Sequence, residues 1–246
     1  MKRKKHRLLL SVWEAFPCKR ITHKKATEMP NPTKNKNPFL IVSGSTGTGK
    51  TTLSRFLSSV FGYKVLRSTV EDFYYLNEFV ADKAKWGFHN QIQFIIHYKR
   101  QQQIAYNIAE FYPVCLERSV YECYEVFTRN LFINGSMSDR DFNCLTAVYE
   151  EIYPSIVHPD LIIYLEALPV TLHKRIVTRA RSLDHDVTCS SLSDMNSLFD
   201  RWIGNLTLCP VLRINTDEYD LTDKSAQQYL VAQITDILPN VKLMGI

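Results

Sequence analysis

The eight residues Gly44-Ser45-Thr46-Gly47-Thr48-Gly49-Lys50-Thr51 spell the complete G-x-x-x-x-G-K-[ST] pattern, which has its physical meaning only between a strand and a helix. Both flanks are present. Residues 38–43 form a short apolar run suited to a buried strand, and residues 51–60 carry Leu53, Phe56 and Leu57 at helical spacing. A strand, turn and helix start in this order aim backbone N–H groups at a polyphosphate and add the positive end of the helix dipole. Gly44, Gly47 and Gly49 supply backbone freedom, with Ser45, Thr46, Thr48 and Thr52 completing the cradle. Lys50 is expected on the β- and γ-phosphates, and the Thr51 hydroxyl on Mg²⁺. The motif predicts a nucleoside triphosphate ligand.

The net charge of +5 is unevenly placed. Of 30 Lys and Arg and 25 Asp and Glu, residues 1–37 hold eleven basic and two acidic ones, leaving 19 against 23 for the remainder. The folded part is therefore mildly acidic, which gives no support for nucleic-acid binding. No apolar run approaches the ~20 residues that span a bilayer. The Lys-Arg-Lys-Lys start suits an organelle presequence or a nuclear signal, and a disordered basic arm is an equal alternative. The six cysteines show no C-x-x-C pair and no zinc spacing, and most read as reduced core residues of an intracellular, cytoplasmic protein unless the tail redirects it.

Beyond residue 38, apolar runs alternate with helical patterns, as in helices around a parallel sheet. Strands are expected at 38–43, 63–67, 113–116, 160–165 and 211–214. Helices are expected at 51–60, 86–112, on both sides of the Asn134-Gly135-Ser136 turn, at 169–181 and at 226–237. A polar loop is expected over 182–194. This predicts one α/β domain at 38–246 behind a basic tail: a doubly wound, five-stranded parallel sheet flanked by helices, with ligands at the carboxyl ends of the strands.

Three further constellations fall on that edge. Glu117-Arg118-Ser119 ends the third strand, where an acid can hold Mg²⁺ and an arginine can neutralise a phosphoryl group in flight. Arg175, Arg179 and Arg181 lead into the polar loop, as a closing lid would require. Gln91 offers an amide donor and acceptor side by side, matching a pyrimidine edge.

With these residues in view, the stretch from Pro38 to about Ile237 resembles the deoxynucleoside kinase family, which includes deoxycytidine, deoxyguanosine, mitochondrial thymidine and insect multisubstrate kinases. Residues 117–121 match its Asp/Glu-Arg-Ser signature, and residues 160–165 and 179–182 its late strand and arginine-bearing lid. The resemblance implies a P-loop kinase that passes the γ-phosphoryl of ATP to the 5′-hydroxyl of a deoxynucleoside in nucleotide salvage. By resemblance, Gln91 reads the base and Phe127 stacks on it. Arg118 sits near the 5′-oxygen and Glu117 near the metal, Asp184 meets the sugar 3′-hydroxyl, and Arg179 and Arg181 clamp phosphates. Family members are commonly homodimers. Purine-accepting or deoxycytidine-favouring members carry an acid and an arginine where this chain has Cys123 and Tyr98, so thymidine and deoxycytidine are the expected substrates.

Two positions depart from the family. Ser68 stands where a glutamate serves as general base, leaving Glu71 as the expected catalytic base and Asp72 next to it. Val80 replaces a tyrosine that touches the sugar; Tyr74 and Tyr75 are the candidates to replace its hydroxyl. The alternatives to this reading are a nucleoside monophosphate kinase, for which the segment from Ser68 to Gln91 supplies only Lys83 and Lys85, and a non-catalytic nucleotide-binding protein.

Overall fold

Both faces of the central strand must be covered by apolar groups, because β1 (Phe39–Gly44) is buried along its whole length. The structure, a computed structural model, describes residues 37–69, 73–180, 187–241 and 243. The basic tail, but for its last residue, lies outside them. Among the described residues one sheet holds five strands in the order β2-β3-β1-β4-β5, with β2 at Lys64–Leu66, β3 at Val114–Glu117, β4 at Leu161–Glu166 and β5 at Val211–Asn215. Every pairing is parallel. The chain turns to one side of β1 for β2 and β3 and to the other for β4 and β5, so the reversal of strand order falls beside β1.

Alternate residues of β1 feed two separate cores. Leu40 and Val42 join Leu161, Ile163 and Leu165 of β4 under α1 (Lys50–Phe61) and the closing helix of the chain. Phe39 and Ile41 join Ile162 and Tyr164 on the opposite face. That second face is covered by the long helix α3 (Lys83–Ile108), which follows the short α2 (Leu76–Ala81), and by the helical run after β3. The run consists of α4 (Val120–Glu122), a π-helical turn (Cys123–Thr128) and α5 (Arg129–Ile133). It is followed by α6 (Asp139–Ile152), then α7 (Pro169–Arg179) and α8 (Cys189–Gly204) after β4, and α9 (Lys224–Ile237) after β5.

The doubly wound parallel sheet is the one expected, with corrections in its helices. The polar loop expected over 182–194 is helical from Cys189 onward. Thr188 accepts from the Ser191 N–H while the Ser191 hydroxyl accepts from the Thr188 N–H, a reciprocal cap that starts α8 inside a run of small polar residues. The lid-bearing helix ends at Arg179 rather than Arg181, because Ala180 adopts the left-handed conformation with φ 50°. The long helix runs from 83 to 108 instead of 86 to 112, capped by the Asp82 carboxylate on the Lys85 N–H. Of the cysteines, only Cys115 and Cys123 are core residues among those described; Cys209 is half-buried, and Cys144 and Cys189 are exposed on helix surfaces.

β1 ends where space runs out. Gly44 pairs with Leu165 of β4, has φ 138°, and a Cβ built on it would lie 2.4 Å from the Leu165 carbonyl oxygen. Backbone, unlike a side-chain end, cannot swing aside. Gly44→Ala is expected to cost about 1–3 kcal/mol of stability, read as a lower urea midpoint, and to abolish nucleotide binding in calorimetry. A variant that binds ATP like the parent would show that this contact is not what shapes the loop.

Candidate active site

The glycine loop leaves β1 at Gly44 and enters α1 at Lys50, with Gly47 at φ 86° and Gly49 at φ 94°. The Thr48 hydroxyl donates to the Ser45 carbonyl at 2.8 Å and draws the loop closed. The Lys50 ammonium donates to the Gly44 and Ser45 carbonyls, each at 2.7 Å. Lys50 therefore lies across the loop it belongs to. Burial pulls its pKa down to about 7, with the charges of Arg118 and Arg179 adding to that and Glu122 and Glu117 opposing it.

β3 brings its acid to the same rim because Val42 of β1 pairs with Glu117. Glu117 Oε2 accepts from the Thr51 hydroxyl at 3.0 Å, its other oxygen accepts from Ser54, and Arg67 at the end of β2 approaches it to 3.8 Å. The two expected metal-binding residues are thus in direct contact. Among the described residues no group of three or more His, Cys, Asp or Glu gathers as a metal cluster. A hydroxyl and one carboxylate suit a hard cation that takes its remaining ligands from phosphates and water.

Arg118 leaves the strand with φ 71°, a conformation costly for any residue but glycine. Its N–H donates to the Val42 carbonyl at 3.0 Å, and its guanidinium lies over the Phe127 ring at 4.8 Å. Burial works against its charge, yet the Tyr98 phenol and the acids Glu122 and Glu117 hold its pKa above the ordinary guanidinium value. Phe127 is brought there by the π-helical turn, a feature enriched at functional sites. Its ring also meets Phe199 of α8 edge-on, with centroids 6.0 Å apart. The next residue, Thr128, donates to the Gln91 amide oxygen at 3.2 Å and fixes how that buried side chain faces. One continuous chain of contacts joins Gln91, Thr128 beside Phe127, Arg118, Glu117, Thr51 and the phosphate loop.

Not every sequence expectation lands in the site. Arg175 is a brace: it donates to the Thr216 hydroxyl at 2.8 Å, the Thr216 carbonyl at 2.7 Å and the Gly47 carbonyl at 3.4 Å, tying the loop to the end of β5. Arg179, in the last turn of α7, is placed so that its charge adds to the lowering of the Lys50 pKa. Glu71, Arg181 and Asp184 lie outside the described residues. Tyr74 is 84% exposed, which sets it away from a buried sugar, whereas Tyr75 stacks on Trp86 at 5.7 Å.

Residues that the sequence did not single out also belong here. Glu122 is fully buried beneath the loop, in hydrogen-bonding contact with Ser43 of β1. Burial raises its pKa, with Arg118 and Lys50 acting in the opposite direction. Its signal was available in retrospect, since an acid three residues past Ser119 falls on the inner side of the helix that Ser119 caps.

A parallel sheet with a phosphate loop at its switch point, an acid and an arginine from the neighbouring strand and the aromatic rings of Phe127 and Phe199 beside them define a P-loop phosphotransferase. The comparisons with known proteins narrow the class. The profile described as deoxynucleoside kinase matches residues 40–239, and the chain belongs to the deoxynucleoside kinase family. It is 30% identical over 206 residues to the deoxyadenosine/deoxycytidine kinase of Bacillus subtilis, covering 82% of this chain and 94% of that one. It is 26% identical over 201 residues to human mitochondrial thymidine kinase 2, covering 76% and 73%. The solved deoxyadenosine kinase of M. mycoides with bound dCTP shares the fold, with a TM-score of 0.69 at 20% identity over 80% of this chain and 98% of that one.

Arg118 stacks on Phe127 and presents a forked donor set, and lysine, which would keep the same backbone strain, has neither the planar group nor the fork. Arg118→Lys is expected to lower kcat about 10²- to 10³-fold in an ADP-release assay, while leaving the urea midpoint almost unchanged. Turnover equal to the parent would remove Arg118 from the reaction.

Proposed function

We propose that this deoxynucleoside kinase uses ATP and Mg²⁺ to phosphorylate the 5′-hydroxyl of a pyrimidine deoxynucleoside, thymidine or deoxycytidine. The observation that carries the substrate class is the wall formed by Tyr98 and Cys123. Both are buried, and both lie in the field of Arg118. A phenol and a thiol occupy the place of an acid–arginine pair, so a purine amino group entering there would lose its hydrogen bonds at about 1–3 kcal/mol each. The relatives' own names span purine and pyrimidine nucleosides, and the choice therefore rests on these side chains. Gln91 is the reader of the base edge, and Phe127, backed by Phe199, is the face on which the base stacks.

The other roles follow from position for the described residues and from the family resemblance for Arg181 and Asp184. The loop amides and Lys50 hold the triphosphate, and Arg179 closes on it with Arg181. Thr51 and Glu117 hold Mg²⁺, which when bound spreads the negative charge of the phosphates. Arg118 meets the charge that develops between the 5′-oxygen and the γ-phosphorus, and Asp184 takes the sugar 3′-hydroxyl. Ile96 and Ile104, exposed on α3, supply apolar surface for a homodimer. An ATP-consuming reaction of this kind supports the reading of an intracellular enzyme.

Purified protein given ATP and each of the four deoxynucleosides is expected to show the highest kcat/KM with thymidine or deoxycytidine. A purine in first place would overturn the specificity assignment, and product from monophosphates alone would make the chain a nucleoside monophosphate kinase. Gln91→Ala is expected to raise the nucleoside KM about tenfold or more, the loss of one or two buried hydrogen bonds, with the KM for ATP unchanged. An equal rise in both would mean that Gln91 acts on the fold and not on the base.

A further inference from the structure

The end of β2 carries a pair of groups whose chemistry none of the roles above uses. The Ser68 hydroxyl lies 2.7 Å from His97 Nε2, on the α3 helix that also carries Gln91. The neighbouring Arg67 reaches within 3.8 Å of Glu117, so this strand end adjoins the acid that contacts Thr51. The imidazole is walled by aromatic rings, Phe73 at 4.9 Å and Tyr98 at 5.2 Å between centroids, both edge-on. Tyr98 is buried, its phenol lies near Ser68, and it is in the field of Arg118. Polar atoms thus run from Arg118 through Tyr98 and Ser68 to His97 within an otherwise aromatic wall.

A serine hydroxyl alone is a poor proton acceptor, but a serine hydrogen-bonded to an imidazole can take a proton on one side while giving one up on the other. We propose that Ser68 and His97 act as the proton acceptor for the 5′-hydroxyl, with Ser68 touching the substrate and His97 acting through it. This inference rests on the kinase reading above and deepens it. The substrate O–H proton passes to Ser68 Oγ as the Ser68 proton passes to His97 Nε2. The freed electron pair of the 5′-oxygen bonds to the γ-phosphorus, and the bond from that phosphorus to the β–γ bridging oxygen breaks. ADP leaves with the pair, and the imidazolium returns its proton to water. The step needs the tautomer in which Nδ1 carries the hydrogen and Nε2 accepts. Here the chain does with a relay what a carboxylate such as Glu71 would do directly.

The test uses the full chain, ATP and the best deoxynucleoside, with ADP release as the readout. His97→Gln and Ser68→Ala are each expected to lower kcat about 10²-fold or more, with the nucleoside KM changed less than about threefold. Adding Ser68→Glu to His97→Gln puts a carboxylate at the acceptor position and is expected to recover at least about tenfold of the lost kcat, a gain that a merely structural role for His97 would not produce. The inference is overturned if His97→Gln turns over like the parent, or if Glu71→Gln alone abolishes turnover while the double variant recovers nothing. A parent enzyme inactive on all four deoxynucleosides would sink the kinase reading itself, an outcome separate from either.

Discussion

Parallel neighbours hold β1 from both sides, and the register they impose decides where each charged group at the rim can stand. Pairing of Val42 with Glu117 delivers the acid of β3 to the level of the loop, and pairing of Gly44 with Leu165 ends the strand against a carbonyl. A slip of one residue would turn the inward and outward sets over. It would bury Glu117 away from Thr51 and separate Leu40 and Val42 from their core. The chemistry of the rim is a consequence of this register, and the two apolar cores on either face are what keep it from slipping.

Among the described residues the rim gathers Lys50, Arg118, Arg67 and Arg179 around the two acids Glu117 and Glu122. Burial first, and the repulsion of Arg118 and Arg179 after it, are why Lys50 is pulled so far down. Such a cluster of cations is prepared for a polyanion: triphosphate oxygens relieve the repulsion that the fold has accumulated. Glu122, in contact with Ser43 under the loop, then restrains the cations without competing for the ligand's side of the site. Arg175 contributes rigidity, since its bonds to Thr216 and Gly47 fasten the loop to β5.

Much of this was legible in the sequence because it depends on neighbours in the chain. The strand–loop–helix around Lys50 and the placement of Glu117-Arg118-Ser119 follow from local pattern, and the strand read at residues 160–165 from its apolar run. What escaped depends on groups far apart. The π-helical turn at residues 123–128 inserts a residue that rotates everything beyond it by about 100°, and no local propensity marks it. The pair of Ser68 and His97 spans 29 positions and forms only when the segment after β2 meets α3. Helix α8 was hidden by its start, where Cys189, Ser190 and Ser191 look like loop. Its apolar face, Leu192, Leu198, Phe199, Trp202 and Ile203, does keep helical period. Arg175 looked like a lid residue because helical spacing cannot say which of several arginines turns inward to a carbonyl.

The left-handed backbone of Arg118 has an evolutionary corollary. Glycine would occupy φ 71° without the roughly 1–2 kcal/mol that an L side chain pays there, so the most comfortable residue at this position is also the one with no chemistry. Durability and turnover therefore pull against each other at a single codon. Lineages screened only for thermal hardiness would drift toward the silent glycine, and persistence of arginine in a descendant would be a fossil record of selection for the reaction.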